Sequence, residues 1–282
     1  LADRAGLEAR HPQAFRINWS NRAKVAAILI AAVGIAIYAV VYLGIEWSRV
    51  LAGFARLGFF VSVMLPPTYG TTETLFIYLY SLLETVAIAL LGTMLAAFLA
   101  IPFGFLAARN VWPERITHFF IRRSLDTVRS VNILIWALIW INVVGLGPFA
   151  GVLAIMTADF GLFGKLFSEA IEASDQKAAE GVISTGGSSL ERVRFGLLPG
   201  ILPVLVSQVL YQIESNTRSA TIIGIVGAGG IGAHFQEQIR LNEWQHVAFL
   251  TILMLITVAV IDFISTKVRF AIIGANSRQS TH

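Results

Sequence analysis

Three glycines, Gly227, Gly229 and Gly232, stand in the pattern G-x-G-x-x-G behind the apolar run Ile222 to Val226, with Gly230 between them. In a dinucleotide-binding fold such glycines end a strand, let the backbone approach a pyrophosphate, and open a helix whose N–H groups hold it. A second candidate lies just upstream. Glu214 and Arg218 are four residues apart and so share one face of a helix. In an apolar setting that pair reads as a structural ion pair, a gate, or a contact for an anion through the guanidinium. Other chemistries have no residues to carry them. The chain has no cysteine, hence no disulfide, thiolate metal site or cysteine nucleophile. Histidines 11, 118, 234, 246 and 282 show no metal-ligand spacing. No G-x-x-x-x-G-K-[ST] loop occurs to cradle nucleotide phosphates. No catalytic or metal-binding residues are therefore expected.

The elements that must position these residues are set by composition. Of 282 residues, 56% are hydrophobic and only 13% are charged, against about a quarter charged in ordinary soluble domains. Val25 to Ile45 and Thr85 to Ala108 carry no charge, and each meets the roughly 20-residue length of a helix crossing a bilayer. Ile133 to Ala158 is also uncharged but contains Gly145, Gly147 and Pro148, which suit a tight turn between two helices. The resulting fold class is an all-α integral membrane protein. Six transmembrane helices are expected at about 25–45, 78–108, 119–144, 148–172, 200–226 and 245–268. They form one transmembrane domain over 25–273, between an N-terminal segment 1–24 and a tail 274–282. Residues 47–65, apolar but punctuated by Arg49 and Arg56, suit a helix lying in the membrane interface.

Lysine and arginine set the orientation. They crowd the segment before the first span, the connection Arg109 to Arg123, and the end of the chain, and they are sparse in the alternate loops. Both termini are thus expected in the cytoplasm, in agreement with an even number of spans. The first apolar run, with no convincing cleavage site, is expected to stay as an anchor. The net charge of +4 is accounted for by topology; a nucleic-acid surface would need its cations gathered on one folded face. The partner expected from composition is the lipid bilayer.

The longest hydrophilic stretch, Glu169 to Pro203, falls on the cytoplasmic side, with the loop proper at 173–199. Its Gly186-Gly187 and Ser188-Ser189 suit a helix, a bend and a second short helix, with Pro199 fixing the start of the next span. Counting from Pro199 at ~1.5 Å per residue places Glu214 roughly 22 Å into that span. A charge at that depth faces the bundle interior and marks a functional site by default. Asn216 and Thr221 are counted with Glu214 and Arg218 as the candidate pathway or gate. Glu84 and Asp262, nearer helix ends, are weaker candidates.

Within the loop, EGVISTGGSSLERVRFGLLP resembles the cytoplasmic motif of ABC-importer permeases: E-A-A, three residues, G, nine residues, I-x-L-P. Glu180, Gly186, Leu198 and Pro199 match; Gly181 and Val182 replace the two alanines, and Gly196 stands where isoleucine is usual. SLLETVAIALLGTMLAAFLAIPFGFLAARN, ESNTRSATIIGIVGAGGIG and DTVRSVNILIWALI together resemble the phosphonate-type permeases of these importers, although Asn132 occupies a place where proline is common. The resemblance covers roughly 73–270.

The resemblance implies a type I ABC-importer permease fold with a cytoplasmic coupling helix, in the cytoplasmic (inner) membrane. The partners implied are a second permease copy, making a homodimer, two cytoplasmic ATPase subunits that hold ATP and Mg, and an extracytoplasmic substrate-binding protein. The chain itself would bind no cofactor. Ala178, Ala179, Glu180, Gly186, Gly187, Ser188, Leu198 and Pro199 would form the coupling element, with Glu180 capping or bracing the bend. The cargo would be a phosphonate, phosphite or phosphate ester. A methionine-type or other organic-anion importer, and a secondary transporter or channel, remain open alternatives. Gly227 to Gly232 then falls at the outer end of the fifth span, away from any nicotinamide pool, as a loop that packs closely and rearranges at the exit.

Overall fold

The computed structural model describes residues 19–44 and 46–279, and among them every regular element is helical. The order is α1 (Trp19–Tyr42), α2 (Trp47–Val63), α3 (Thr72–Ala107), α4 (Arg115–Ser130), α5 (Ile133–Val144), α6 (Pro148–Ala173), α7 (Lys177–Ser184), α8 (Ser189–Glu191), a π-helical turn (Arg192–Leu197), α9 (Leu198–Ile225), α10 (Ile231–Arg240) and α11 (Trp244–Gln279). Residues 1–18 of the expected N-terminal segment and 280–282 of the expected tail lie outside the described residues.

The chain divides into two compact units, one ending at Ser62 and the other beginning at Val63. In the first, α1 is an apolar rod and α2 has no buried residue. In the second, α3, α6 and α9 share the core. Ala96, Ala97 and Ala100 of α3 pack against Phe163, Phe167 and Ile171 of α6 and Ile201 and Leu205 of α9. Nearer the other end, Ile88 and Ala89 meet Ala154, Ile155, Ala220 and Ile223, with Ala137 of α5. Lipid tails are as apolar as leucine, so helices in a membrane gain from close approach more than from hiding apolar surface. The sequence supplies that approach. A Cβ added at Gly92 would lie 2.7 Å from the Cβ of Ile155, and one at Gly104 would lie 2.8 Å from that of Phe167.

The turn expected at residues 145–148 is present. Gly145 and Gly147 take φ of +91° and +135°, and Pro148 opens α6, where its missing N–H costs nothing. The expectation of one continuous third helix over 119–144 requires correction. The segment breaks into α4 and α5, bent by 87°. Val131 and Asn132 are extended, and the Asn132 Oδ1 accepts from the Leu134 N–H at 2.9 Å as an N-cap. Asn132 thus restarts the helix where a proline would have broken it. By length and apolarity five helices can cross a bilayer, and the α4–α5 pair taken as one broken span makes six. The last helix continues to Gln279, past the expected 268. Apolar content marks where the hydrocarbon ends and does not mark where the helix ends.

Candidate functional site

The hydrophilic segment after α6 folds as two helical pieces around a glycine. α7 ends in a Schellman motif: the Gly186 N–H donates to the Ile183 carbonyl at 2.9 Å and the Gly187 N–H to the Val182 carbonyl at 3.0 Å. This closure requires a left-handed residue at its turn, and Gly186 supplies it with φ +86°. Ser188 then opens the next helix through a capping box. Its Oγ accepts from the Glu191 N–H at 3.4 Å, and its N–H donates to Glu191 Oε2 at 2.7 Å. The N–H and then the hydroxyl of Ser188, both donating, hold the Glu191 carboxyl below the usual carboxylate range.

Glu180, expected to brace this bend, does not. It is exposed and makes no ion pair with Arg192 or Arg194 among the described residues. The bracing carboxylate is that of Glu191, and Arg192 donates to Gln176 Oε1 at 3.2 Å. Ala178 is exposed and Ala179 fully buried, pressed against Gly196 of the π-helical turn. Leu197 is buried behind them, and Leu198 and Pro199 open α9 without a break in the rod.

Along α9 the four expected pathway residues separate onto two faces. Glu214 is buried and pairs with Arg218, Oε1 to Nη1, at 3.0 Å; the Arg218 side chain is half exposed. Thr221 is half-buried one turn further and contacts the Met254 sulfur of α11 at 3.2 Å. Asn216 is not among them. Residues two apart on a helix point away from each other, and Asn216 turns inward, where its Nδ2 donates to Thr93 Oγ1 at 2.7 Å and to Asp159 Oδ2.

That inward contact belongs to a network the sequence reasoning missed. Asp159 of α6 is 3% exposed; its Oδ1 accepts from Gln212 Nε2 at 3.0 Å while Oδ2 accepts from Asn216. Thr93 closes the chain by donating to the Ala89 carbonyl at 2.7 Å. The buried carboxylate thus joins α6 to α9, and Asn216 extends the network to Thr93 of α3. The available signal was Asp159 itself, the one charged residue in the run Ile133 to Gly164 that precedes the polar end of α6, and an acid within a bilayer-length helix marks a candidate site.

The glycine fingerprint forms neither a strand nor an open cradle. Gly227, Gly229 and Gly230 take φ of +106°, +83° and +75°, and Gly230 leads into α10. The N–H groups that would receive a phosphate are occupied. The Gly230 N–H donates to Glu84 Oε1 at 2.9 Å, and the Ile231 N–H donates to Thr85 Oγ1 at 2.8 Å. A carboxylate already in the anion position repels a second anion. Gly232 is buried where α10 crosses α9, and the Gly227 carbonyl accepts from the Gly147 N–H at 3.0 Å. The segment is therefore a packed clasp joining α3, the α5–α6 turn and α9. Asp262 is exposed on α11 and accepts from Thr266 at 3.4 Å. Among the described residues no group of acids and histidines is placed to hold a metal ion.

The family described as binding-protein-dependent transport system inner membrane component matches residues 100–272. HtxC of Stutzerimonas stutzeri, named as a phosphite transport system permease protein, is 38% identical over 229 residues, 81% of this chain and 80% of its own. The phosphite transport system permease protein PtxC of the same organism is 29% identical over 256 residues, 90% of this chain and 91% of its own. Among solved structures, an inward-facing form of the MetNI methionine ABC transporter superposes with a TM-score of 0.63 at 18% identity, over 72% of this chain and 99% of that one.

Proposed function

The chain belongs to the binding-protein-dependent transport system inner membrane components, as an ABC-importer permease of the phosphite, phosphonate and phosphate type, and we propose that it forms the membrane pathway for one such phosphorus oxyanion. It is a multi-pass inner-membrane protein with the type I permease fold. In this proposal two copies pair as a homodimer and bind two ATPase subunits that hydrolyse ATP with Mg, while a substrate-binding protein delivers the cargo from outside. Both termini face the cytoplasm. The chain contributes no phosphate cradle of its own, so the energy must arrive mechanically.

The observation that carries this reading is the continuity of the 177–225 segment. α7 is held to the π-helical turn by the Ala179–Gly196 contact, and that turn runs directly into α9. α9 is a helix of 28 residues, about 42 Å long at 1.5 Å per residue, with Glu214 and Arg218 on one face and the glycine clasp at its far end. Closure of the ATPases against α7 and its glycine bend tilts α9 as a lever and moves the Glu214–Arg218 pair between two aqueous sides. Arg218 is the cationic contact for an oxyanion, and Glu214 holds it when the pathway is empty.

A methionine-type or other organic-anion cargo is the second reading; the methionine-transporter likeness, at 18% identity, speaks for the fold alone. The direct test is isolation of the chain with its neighbours. Co-purification with an ATPase subunit and ATP-dependent uptake of a phosphorus oxyanion are expected; uptake driven by an ion gradient without an ATPase would overturn the proposal.

A further inference from the structure

Where α3, α4 and α6 come together beside the α7 segment, the cations outnumber their acids. Glu172 is already engaged: Oε1 accepts from the Arg109 N–H at 2.9 Å, and Oε2 pairs with Arg122 Nη2 at 2.8 Å. Asp126 pairs with Lys165 at 3.3 Å. The Arg109 and Arg115 guanidiniums make no ion pair or hydrogen bond among the described residues. These two, with Pro113, His118 and Phe119, line a cavity of about 550 Å³ that contains no carboxylate. A second cavity of about 300 Å³ shares Arg109, His118 and Phe119 and is lined also by Arg122, Arg123 and Lys165 and by the carboxylates of Asp126 and Glu169.

Two buried nitrogens make no hydrogen bond. His118 is 8% exposed and its Nε2 makes no hydrogen bond, standing 3.9 Å from Glu172 Oε1. The Arg122 Nε is likewise buried without a partner. A buried polar group left unpaired costs about 1–3 kcal/mol, and the Arg122 Nε–H, which can only donate, calls for an acceptor. Phe119, which lines both cavities, is 55% exposed, and its chain neighbour Phe120 is 65% exposed, as aromatic residues are at a membrane–water boundary.

We infer that these adjoining cavities bind a phosphoryl group through Arg109, Arg115 and His118 of the larger and Arg122 of the smaller. A tetrahedral oxyanion offers several acceptors at once, matches guanidinium geometry and satisfies the excess positive charge. An anionic phospholipid headgroup and free inorganic phosphate present the same chemistry. The aromatic rim and the location at the membrane edge hold a headgroup as readily as the cations hold phosphate. The site is separate from the Glu214–Arg218 pathway. Its cytoplasmic placement rests on the orientation proposed above, while its existence does not.

The test uses the full chain purified in neutral detergent, in two arms. In one, delipidated protein is dialysed against radiolabelled inorganic phosphate. In the other, protein released from nanodiscs of phosphatidylglycerol and phosphatidylcholine is weighed by native mass spectrometry to count retained phosphatidylglycerol. Saturable binding of one phosphoryl group per chain is expected in at least one arm, and the arm that shows it identifies the source. Arg109→Gln combined with Arg115→Gln is expected to weaken it about tenfold or more, while Arg129→Gln, exposed on the same helix, leaves it unchanged. Absence of saturable binding to the unmodified chain in both arms overturns the inference, as does equal binding by a folded double variant. Neither arm requires transport or ATP hydrolysis, and phosphate held at Arg218 is told apart from this site because the Arg109→Gln, Arg115→Gln variant leaves it in place.

Discussion

Gly196 is packed against Ala179 so closely that a Cβ on the glycine would lie 2.5 Å from the Ala179 Cα and 2.9 Å from its backbone nitrogen. The contact joins α7 to the turn that feeds α9, and it exists because position 196 lacks a side chain. The motif that this segment resembles has isoleucine there, and the backbone of Ala179 occupies the space such a side chain would need.

Restoring the family residue should therefore harm this protein. Gly196→Ile must push α7 away from a backbone that cannot yield, and overpacking of this kind costs about 1–3 kcal/mol. A lowered thermal midpoint of the purified complex, with weakened ATPase stimulation, is expected. An unchanged midpoint and normal stimulation would show that the contact is not what holds the coupling segment.

The buried Asp159 network and the Glu214–Arg218 pair should separate under mutation. Asp159→Ala strips acceptors from Gln212 and Asn216, and a loss of about 2 kcal/mol in stability is expected. Arg218→Gln touches a half-exposed side chain; uptake should fall sharply while the midpoint moves less. The two readouts are thermal unfolding in detergent and uptake by cells holding the whole importer. The reverse pattern would mean that structural and transport roles have been assigned to the wrong residues.

Much of this organisation was legible beforehand, and the failures have physical causes. Uncharged runs of bilayer length identified the long helices, and Gly186 with Pro199 identified the bend after α7 and the start of α9. The 87° break between α4 and α5 escaped notice because Asn132 breaks the helix by capping the next one, without glycine or proline. Asn216 was grouped with Arg218 because both are polar on one helix, yet they lie two residues apart and face different neighbours. When a helix is apolar on all sides, periodicity does not say which polar residue turns inward. The glycine fingerprint misled for a further reason: its pattern reports backbone permissiveness, and only Glu84 and Thr85, 146 residues away, reveal that its N–H groups are taken.

That last contact has its own consequence. Removing the Glu84 carboxylate leaves the first turn of α10 with an unpaired N–H, at a cost of about 1 kcal/mol. Glu84→Ala should speed hydrogen exchange at Gly230 and along α10 while sparing α9. Protection equal to that of the unmodified chain would show that the clasp is held by glycine packing alone.

The central claim is mechanical: motion enters through the glycine bend after α7 and travels along α9. Gly186 is exposed, with open space where a Cβ would stand, and only its φ of +86° resists a side chain. Aspartate tolerates that conformation at about 1 kcal/mol, so Gly186→Asp alters the surface offered to a partner and little else. The decisive measurement is ATPase activity of the reconstituted Gly186→Asp complex with and without loaded binding protein. Normal assembly with stimulation abolished is expected. Stimulation equal to that of the unmodified complex would contradict the coupling role of this bend.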